Sequence, residues 1–385
     1  MSLQIQEQIK YFDRVYDLES LLKPQKALVL YGPRQIGKTT LLQALIKKTR
    51  LKKFQGTGDD LRLKTLFSEP DFDGLISFAK DYELIIIDEA QNIPNIGLGL
   101  KIIIDHVENI KIIVTGSASF ELAGQIGEPL VGRKRTYTLF PLSVLELSKY
   151  YTPYQLENEL LEQLLLFGCY PEVLTAETNK EKREALMEIT NLYLLKDVLA
   201  LEKIKSPKIL RDLLQLLAWQ IGNEVSLTEL SNSLNIDYKT VARYLDLLEK
   251  VFVIVSVRGF SRNLRKEVTK KNKYFFLDIG IRNAIIENFN TINLRNDIGQ
   301  LWENFVFLER MKTRDYKQIY ANQYFWRTWE QQEIDLIEER DGQLFAYEFK
   351  WNDKKKIKTP KQWTDNYKNS EFKVITPKNY QEFVL

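Results

Sequence analysis

ALVLYGPRQIGKTTLLQALI, residues 27–46, runs from an apolar segment through Gly32-Pro33-Arg34-Gln35-Ile36-Gly37-Lys38-Thr39-Thr40 into a helical pattern. Leu41, Leu42, Leu45 and Ile46 share one helical face, so the stretch reads strand, loop, helix. It contains a complete G-x-x-x-x-G-K-T in the context that its chemistry requires. Glycine at 32 and 37 lets backbone N–H groups turn toward a phosphate chain, and the helix N-terminus adds partial positive charge. Lys38 is long enough to reach terminal phosphates, and Thr39 is the expected Mg²⁺ ligand. Residues 32–40 are thus a candidate site for ATP with Mg²⁺, on an α/β fold with a buried parallel sheet.

Outward from this loop, short β-branched runs alternate with helical patterns as far as about residue 150. Leu84-Ile85-Ile86-Ile87-Asp88-Glu89 is an apolar strand ending in two carboxylates. Asp88 is placed to bind Mg²⁺, largely through water, and Glu89 to polarise an attacking water as general base. A further strand, Ile110 to Thr115, ends in Thr115-Gly116-Ser117 at the same sheet edge. Thr115 or Ser117 is expected to contact the terminal phosphate or the water, unless these hydroxyls only cap a helix. Arg133, after Gly132, is a candidate for stabilising transition-state charge in its own subunit or a neighbour's. Its neighbours Lys134 and Arg135 also fit a solvated basic loop.

Composition bounds the rest. With 385 residues and 44% hydrophobic content the chain is long enough for two or three globular domains. No apolar run approaches the ~18 residues that span a bilayer, which predicts a cytoplasmic protein with no membrane partner. One cysteine, Cys169, and one histidine, His106, exclude a disulfide and a thiolate or imidazole zinc site. Any metal must be held by oxygen. A net charge of +3 is too near neutrality for the whole chain to be read as a polyanion binder, so local charge has to decide.

GPRQIGKTTLL, LIIIDEAQNIP, VTGSAS and LVGRKRTYTLFPLSVLEL, with FGCYPEV at 167–173, resemble the AAA-type ATPases of bacteria and archaea that carry a C-terminal domain of uncharacterised function. The resemblance covers most of the chain. It implies a P-loop NTPase core, a helical lid, a winged helix-turn-helix and a small restriction-endonuclease-like α/β domain. The corresponding divisions are residues 1–150, 151–205, 206–290 and 291–385. A homo-oligomer would fit such a family.

The residues after 205 support the third and fourth parts independently. Ser226-Leu227-Thr228-Glu229 is a capping box that opens a helix to about Leu234, and Asp237 can cap a second. That second helix leaves Lys239, Thr240 and Arg243 off its apolar stripe, and the strand VFVIVSV follows. In residues 258–273, Arg258, Arg262, Arg265, Lys266, Lys270, Lys271 and Lys273 stand against Glu267 alone. DNA is the expected partner of this basic wing, with a protein partner the alternative, since winged helices also bind proteins.

A helix around Ile298 to Met311 carries Glu303 at the edge of its apolar stripe, and the strands EIDLI and LFAYEFK follow. Asp341-Gly342 between these strands signals a two-residue hairpin turn. With residue 340 opposite 343, Asp335 lies across from Glu348 and Glu333 across from Lys350. All four then share one face, with opposed Cβ atoms ~5 Å apart. The pattern Glu303, Asp335, Glu348-x-Lys350 is similar to the restriction-endonuclease-like active site. The resemblance implies a second Mg²⁺ or Mn²⁺ on Glu303, Asp335 and Glu348, with Lys350 beside a scissile phosphate. Opposed strand faces making surface ion pairs, or an inactive relic used for binding, would show the same residues.

Overall fold

The structure, a computed structural model, describes residues 11–68, 71–117, 129–192, 206–261, 271–352 and 357–385. Strands β1 (Lys26–Tyr31), β2 (Lys53–Thr57), β3 (Leu84–Asp88), β4 (Lys111–Gly116) and β5 (Lys134–Thr138) form a parallel sheet in the order β2-β3-β4-β1-β5. The three central strands are apolar because both their faces are covered. One face, with Leu28, Leu30, Ile86 and Ile113, packs on the helix Lys38–Lys48 and the segments after residue 138. The other, with Val29, Ile85, Ile87 and Val114, packs on helices Leu61–Ser68, Phe72–Lys80 and Ile96–His106. Because all pairs are parallel, the chain leaves β1, β3 and β4 at one common edge. That edge is where loops of an open α/β sheet gather to bind ligands.

Helices Pro153–Gln155, Leu161–Phe167, Pro171–Thr175 and Asn179–Leu192 follow the sheet. Two further helices, Leu227–Leu234 and Tyr238–Lys250, begin on the caps that the sequence proposes. Ser226 accepts from the Glu229 N–H, and Asp237 accepts from the N–H groups of Lys239 and Thr240.

A second sheet has seven strands in the order β12-β11-β10-β9-β7-β8-β6. It is built from β6 (Glu224–Val225), β7 (Ile254–Gly259), β8 (Asn272–Phe276), β9 (Asn322–Arg327), β10 (Glu333–Arg340), β11 (Gln343–Phe349) and β12 (Ser370–Ile375). The β7–β8 hairpin does not stand free as a wing. Its outer edge is closed by parallel pairing of β7 with β9 at Arg258–Tyr324 and Gly259–Phe325. This removes a row of unpaired backbone groups and fuses the hairpin to the C-terminal strands.

The helix Ile298–Tyr316 runs through the middle of the molecule. Besides Leu301, Trp302 and Phe305 it buries Glu309, Arg310, Lys312 and Arg314, so each charge needs a partner. Lys312 donates to Glu309 at 2.7 Å and to the Leu142 carbonyl at 3.1 Å. Arg310 forms a bidentate pair with the buried Glu338, at 2.8 and 2.9 Å. Glu309 accepts from the Val144 N–H at 2.6 Å, and Asp315 from the Tyr16 hydroxyl at 3.0 Å. The Leu142 and Val144 contacts seat the helix on the segment that leaves β5.

Candidate functional site

At the shared edge, Gly32 and Gly37 shape the loop after β1. Gly32 has φ +150°, and a Cβ there would lie 2.2 Å from the Leu139 carbonyl oxygen; Gly37 has φ +90° and forms the helix N-cap. Side chains at these positions would strain the loop and displace its N–H groups. Lys38, buried at the helix start, lies back over the loop, donating to the carbonyls of Gly32 at 2.9 Å and Pro33 at 2.7 Å.

Thr39 and Asp88 meet at this edge, the Thr39 hydroxyl donating to Asp88 Oδ2 at 2.6 Å. Two oxygens of types that suit Mg²⁺ thus come from the expected residues. Thr115 sits on the other side of Asp88. Its hydroxyl donates to Asp88 Oδ1 and accepts from the Glu89 N–H. The hydroxyl thus holds the carboxylate at the sheet edge. Ser117 is buried beyond the end of β4. Glu89 adopts a left-handed φ of 51°, a conformation that costs energy for a non-glycine residue and clusters at functional sites. The strained turn brings Glu89 to the wall of a ≈ 440 Å³ cavity that Gln35, Ile36, Gly37, Lys38, Thr39 and Thr40 also line. Gln91 donates to the Glu89 carboxylate from two residues on, a positioning contact that no motif announces.

Two further walls of this cavity lie outside the motifs. Tyr11, Phe12 and Arg14 come from the N-terminal segment, and Pro171, Glu172 and Thr175 from the helix that opens at FGCYPEV. Arg14 is buried and ties the loop to the rest of the molecule. It donates to Glu146 at 2.8 Å, to the Ile36 carbonyl at 2.7 Å and to the Tyr316 hydroxyl at 3.4 Å.

Arg133 is elsewhere. Its carbonyl accepts from the Ala27 N–H where β1 begins, and its guanidinium pairs with Asp105 at 2.6 Å. The phosphate loop starts about 16 Å away, beyond the other end of β1. A role on phosphate within the same subunit is excluded by this separation, leaving only one across a subunit boundary. Arg133→Ala is accordingly expected to leave ATP turnover unchanged in dilute protein. A fall that persists on dilution would restore the within-subunit role, and one confined to high protein concentration would place Arg133 at a subunit contact.

At the C-terminal half the hairpin arithmetic holds from Leu336 to Arg340 and does not extend to the expected pairs Asp335–Glu348 and Glu333–Lys350. Residue 340 pairs with 343 and Leu336 with Tyr347, around a turn in which Asp341 and Gly342 both have positive φ. The regular pairing stops at Leu336, where the Asp335 carboxylate accepts the Phe349 N–H at 2.7 Å. Glu303, Asp335, Glu348 and Lys350 do line one cavity, of ≈ 340 Å³. Its ion pairs differ from expectation. Lys350 pairs with Glu348 at 2.6 Å, and Glu333 pairs not with Lys350 but with Lys273 of β8, also at 2.6 Å. Lys273 is 1% exposed and reaches Glu303 at 2.9 Å. It is therefore no part of a solvated basic wing. Among the described residues no group of three or more His, Cys, Asp or Glu is arranged to hold a metal, and here the Lys273 ammonium pairs with both Glu303 and Glu333.

The charges feel their burial. Desolvation pushes the Glu303 carboxyl up to about 8, against the pull of Lys273. Desolvation and then Asp335 push Glu348 up to about 7. Asp335 is raised by burial too, with Lys273 and Lys350 opposing. For Lys273, burial disfavours the charge, but Glu303, Asp335 and Glu333 outweigh it and hold the ammonium above the usual lysine range.

Of the expected nucleic-acid contacts, Lys239 and Arg243 are exposed one turn apart on Tyr238–Lys250, and Arg258 is exposed on β7. Arg262, Arg265 and Lys266 lie outside the described residues.

The family model described as AAA domain matches residues 24–148. Two models described as domain of unknown function match residues 158–292 (DUF8612) and 298–382 (DUF4143). An uncharacterized protein of Mycobacterium tuberculosis is 28% identical over 344 residues, covering 88% of this chain and 73% of that protein. One of Methanocaldococcus jannaschii is 26% identical over 328 residues, covering 80% of this chain and 71% of that protein. A solved signal transduction ATPase with numerous domains and a tetratricopeptide repeat sensor, from Pyrococcus horikoshii, aligns with 80% of this chain at 14% identity and a TM-score of 0.30. This chain covers 48% of that structure. Residues 24–148 are thus an AAA-type P-loop ATPase domain, and no helix among the described residues is long and apolar enough to cross a membrane.

Proposed function

We propose that the chain binds and hydrolyses ATP with Mg²⁺ at residues 32–40, and that its nucleotide state is coupled to a C-terminal half directed at DNA. The observation that carries the first part is the convergence of Thr39, Asp88, Thr115 and Glu89 at one sheet edge beside the loop. The oxygen set of Thr39 and Asp88 fits Mg²⁺, which when bound supplies charge neutralisation of the phosphates. Lys38 leaves its loop carbonyls for the terminal phosphates, Thr115 holds Asp88, and Glu89, fixed by Gln91, orients the attacking water and takes its proton. The apolar and aromatic wall of Tyr11, Phe12 and Pro171 suits a base.

The central helix supports the coupling. Tyr316, near its C-terminus, touches Arg14 beside the loop, while Glu303, about 20 Å along the same helix, faces the C-terminal cavity. A rigid element with one end at each site is a physical route for coupling. For the DNA-directed half, the support is the exposed Lys239, Arg243 and Arg258 together with the sequence charge of 262–266. Duplex affinity is then expected to fall with salt, log K against log salt having a slope of about −0.9 per phosphate neutralised. Charge reversal at Lys239 and Arg243 should flatten it. An unchanged slope, or no binding at low salt, would assign this face to a protein partner.

One observation favours a second reading, a nucleotide-dependent switch that binds a protein partner and carries an inactive nuclease-like domain. Lys273 fills the carboxylate cluster where a cutting site needs a metal. Incubating plasmid with the protein, Mn²⁺ and ATP separates the two: nicking that disappears in Asp335→Asn supports the first, and intact DNA at all conditions supports the second.

A further inference from the structure

Glu303, Glu333, Asp335 and Glu348 converge on the ≈ 340 Å³ cavity with Lys350, and Lys273 reaches into the same cluster. A purely structural ion cluster satisfies its buried oxygens, because an orphaned one costs about 1–3 kcal/mol or more. This cluster does not. Glu348 is 9% exposed, Lys350 engages its Oε1, and its Oε2 is buried with no hydrogen-bond partner. The carboxylates also outnumber the ammonium groups. An ammonium donates along three directions from a single point charge, whereas a divalent cation takes six or more oxygens. The donor set therefore suits a divalent cation in its oxygens, and disagrees with one in the position of Lys273.

The elements explain how both can be true. The carboxylates are borne by the helix Ile298–Tyr316, β10 and β11. The ammonium is borne by β8, which pairs with β7 and β6. The occupant thus arrives on a different element from the cage. We propose that Lys273 is an internal counter-ion holding the cation position of this cluster, so that Mg²⁺ or Mn²⁺ is kept out while its ammonium is in place. The inference rests on reading the cluster as a metal site.

Mn²⁺ binding to the full chain without nucleotide, followed by calorimetry and by the low-temperature resonance of bound Mn²⁺, tests it. Lys273→Met is expected to tighten Mn²⁺ binding at least tenfold over the parent, and Asp335→Asn in the same background should remove the gain. Mn²⁺ should raise the melting temperature of Lys273→Met with concentration but not that of the parent. Lys273→Arg should behave as the parent. If Lys273→Met does not fold, Glu333→Gln, which frees one of the two ion pairs of Lys273, should tighten Mn²⁺ binding in the same direction by a smaller factor. Equal, Asp335-dependent affinity in parent and variants overturns the exclusion by Lys273 while leaving the metal site standing. No Asp335-dependent binding in any variant overturns the metal reading itself.

Discussion

Lys38→Ala is expected to lose roughly tenfold to a hundredfold in ATP affinity, whereas Glu89→Gln should bind ATP as the parent does and hydrolyse it about 10²- to 10⁴-fold more slowly. The first figure follows from removing a charged donor worth about 1.5–3 kcal/mol. In the parent its ammonium donates to the Gly32 and Pro33 carbonyls, neutral acceptors that bind an ammonium more weakly than an anionic phosphate does. The second figure is the usual contribution of a general base. Gln at 89 keeps the size of the side chain and a carbonyl oxygen able to accept from Gln91, so the strained turn is preserved and only the base is removed. Nucleotide titration and steady-state turnover read the two quantities separately. Should Glu89→Gln lose ATP as severely as Lys38→Ala, its carboxylate belongs to binding and the general-base role is wrong. Asp88→Asn should sit between them, weakening nucleotide only when Mg²⁺ is present, since Asp88 bonds Thr39, the expected Mg²⁺ ligand.

How much of this was legible in the sequence depended on where the partner of each residue lay. β1, β3 and β4 are apolar because the sheet buries both their faces, and all three are evident from composition alone. β2, Lys-Phe-Gln-Gly-Thr, and β5, Lys-Arg-Thr-Tyr-Thr, flank the sheet half exposed. Their polar sequences resemble loops, and this is why the place of Arg133 was not readable: without β5, nothing showed that it immediately precedes a strand, at the end of the sheet away from the phosphate loop. The β10–β11 register was readable because two left-handed residues at 341 and 342 permit only a tight turn. Lys273 was not, since its partners Glu303 and Glu333 lie 30 or more residues away on other elements. Within its own neighbourhood it looked like one more cation of a basic run. Arg14 left still less trace, because its acceptor Glu146 is 132 residues distant and the segment around it carries no motif.

That distant pair carries the second large effect, because Arg14→Ala leaves the Glu146 carboxylate, 0% exposed, without its countercharge. Breaking a buried ion pair by removing one partner costs about 3–5 kcal/mol, and urea unfolding of the full chain should show a loss of that size in its first transition. Glu146 retains donors in the N–H groups of Val15 and Ser143 and the Ser143 hydroxyl. Adding Glu146→Gln to Arg14→Ala should recover a large part of the loss, since the uncompensated charge goes while those hydrogen bonds can persist. Arg14→Lys should not rescue, because a single ammonium cannot span Glu146, the Ile36 carbonyl and the Tyr316 hydroxyl as the guanidinium fork does. A loss below about 1 kcal/mol, the range of surface pairs, would show the pair to be solvated. The Ile36 carbonyl lies between Gly32 and Lys38, and Tyr316 ends the helix that bears Glu303, so the same substitution removes a side chain that touches both the phosphate loop and the central helix. ATP affinity should weaken even in Arg14→Ala protein that is still folded, and any effect of ATP on the C-terminal half should be lost with it. Retention of that effect would move the coupling to the Glu309–Val144 and Lys312–Leu142 contacts, which anchor the helix without touching the loop.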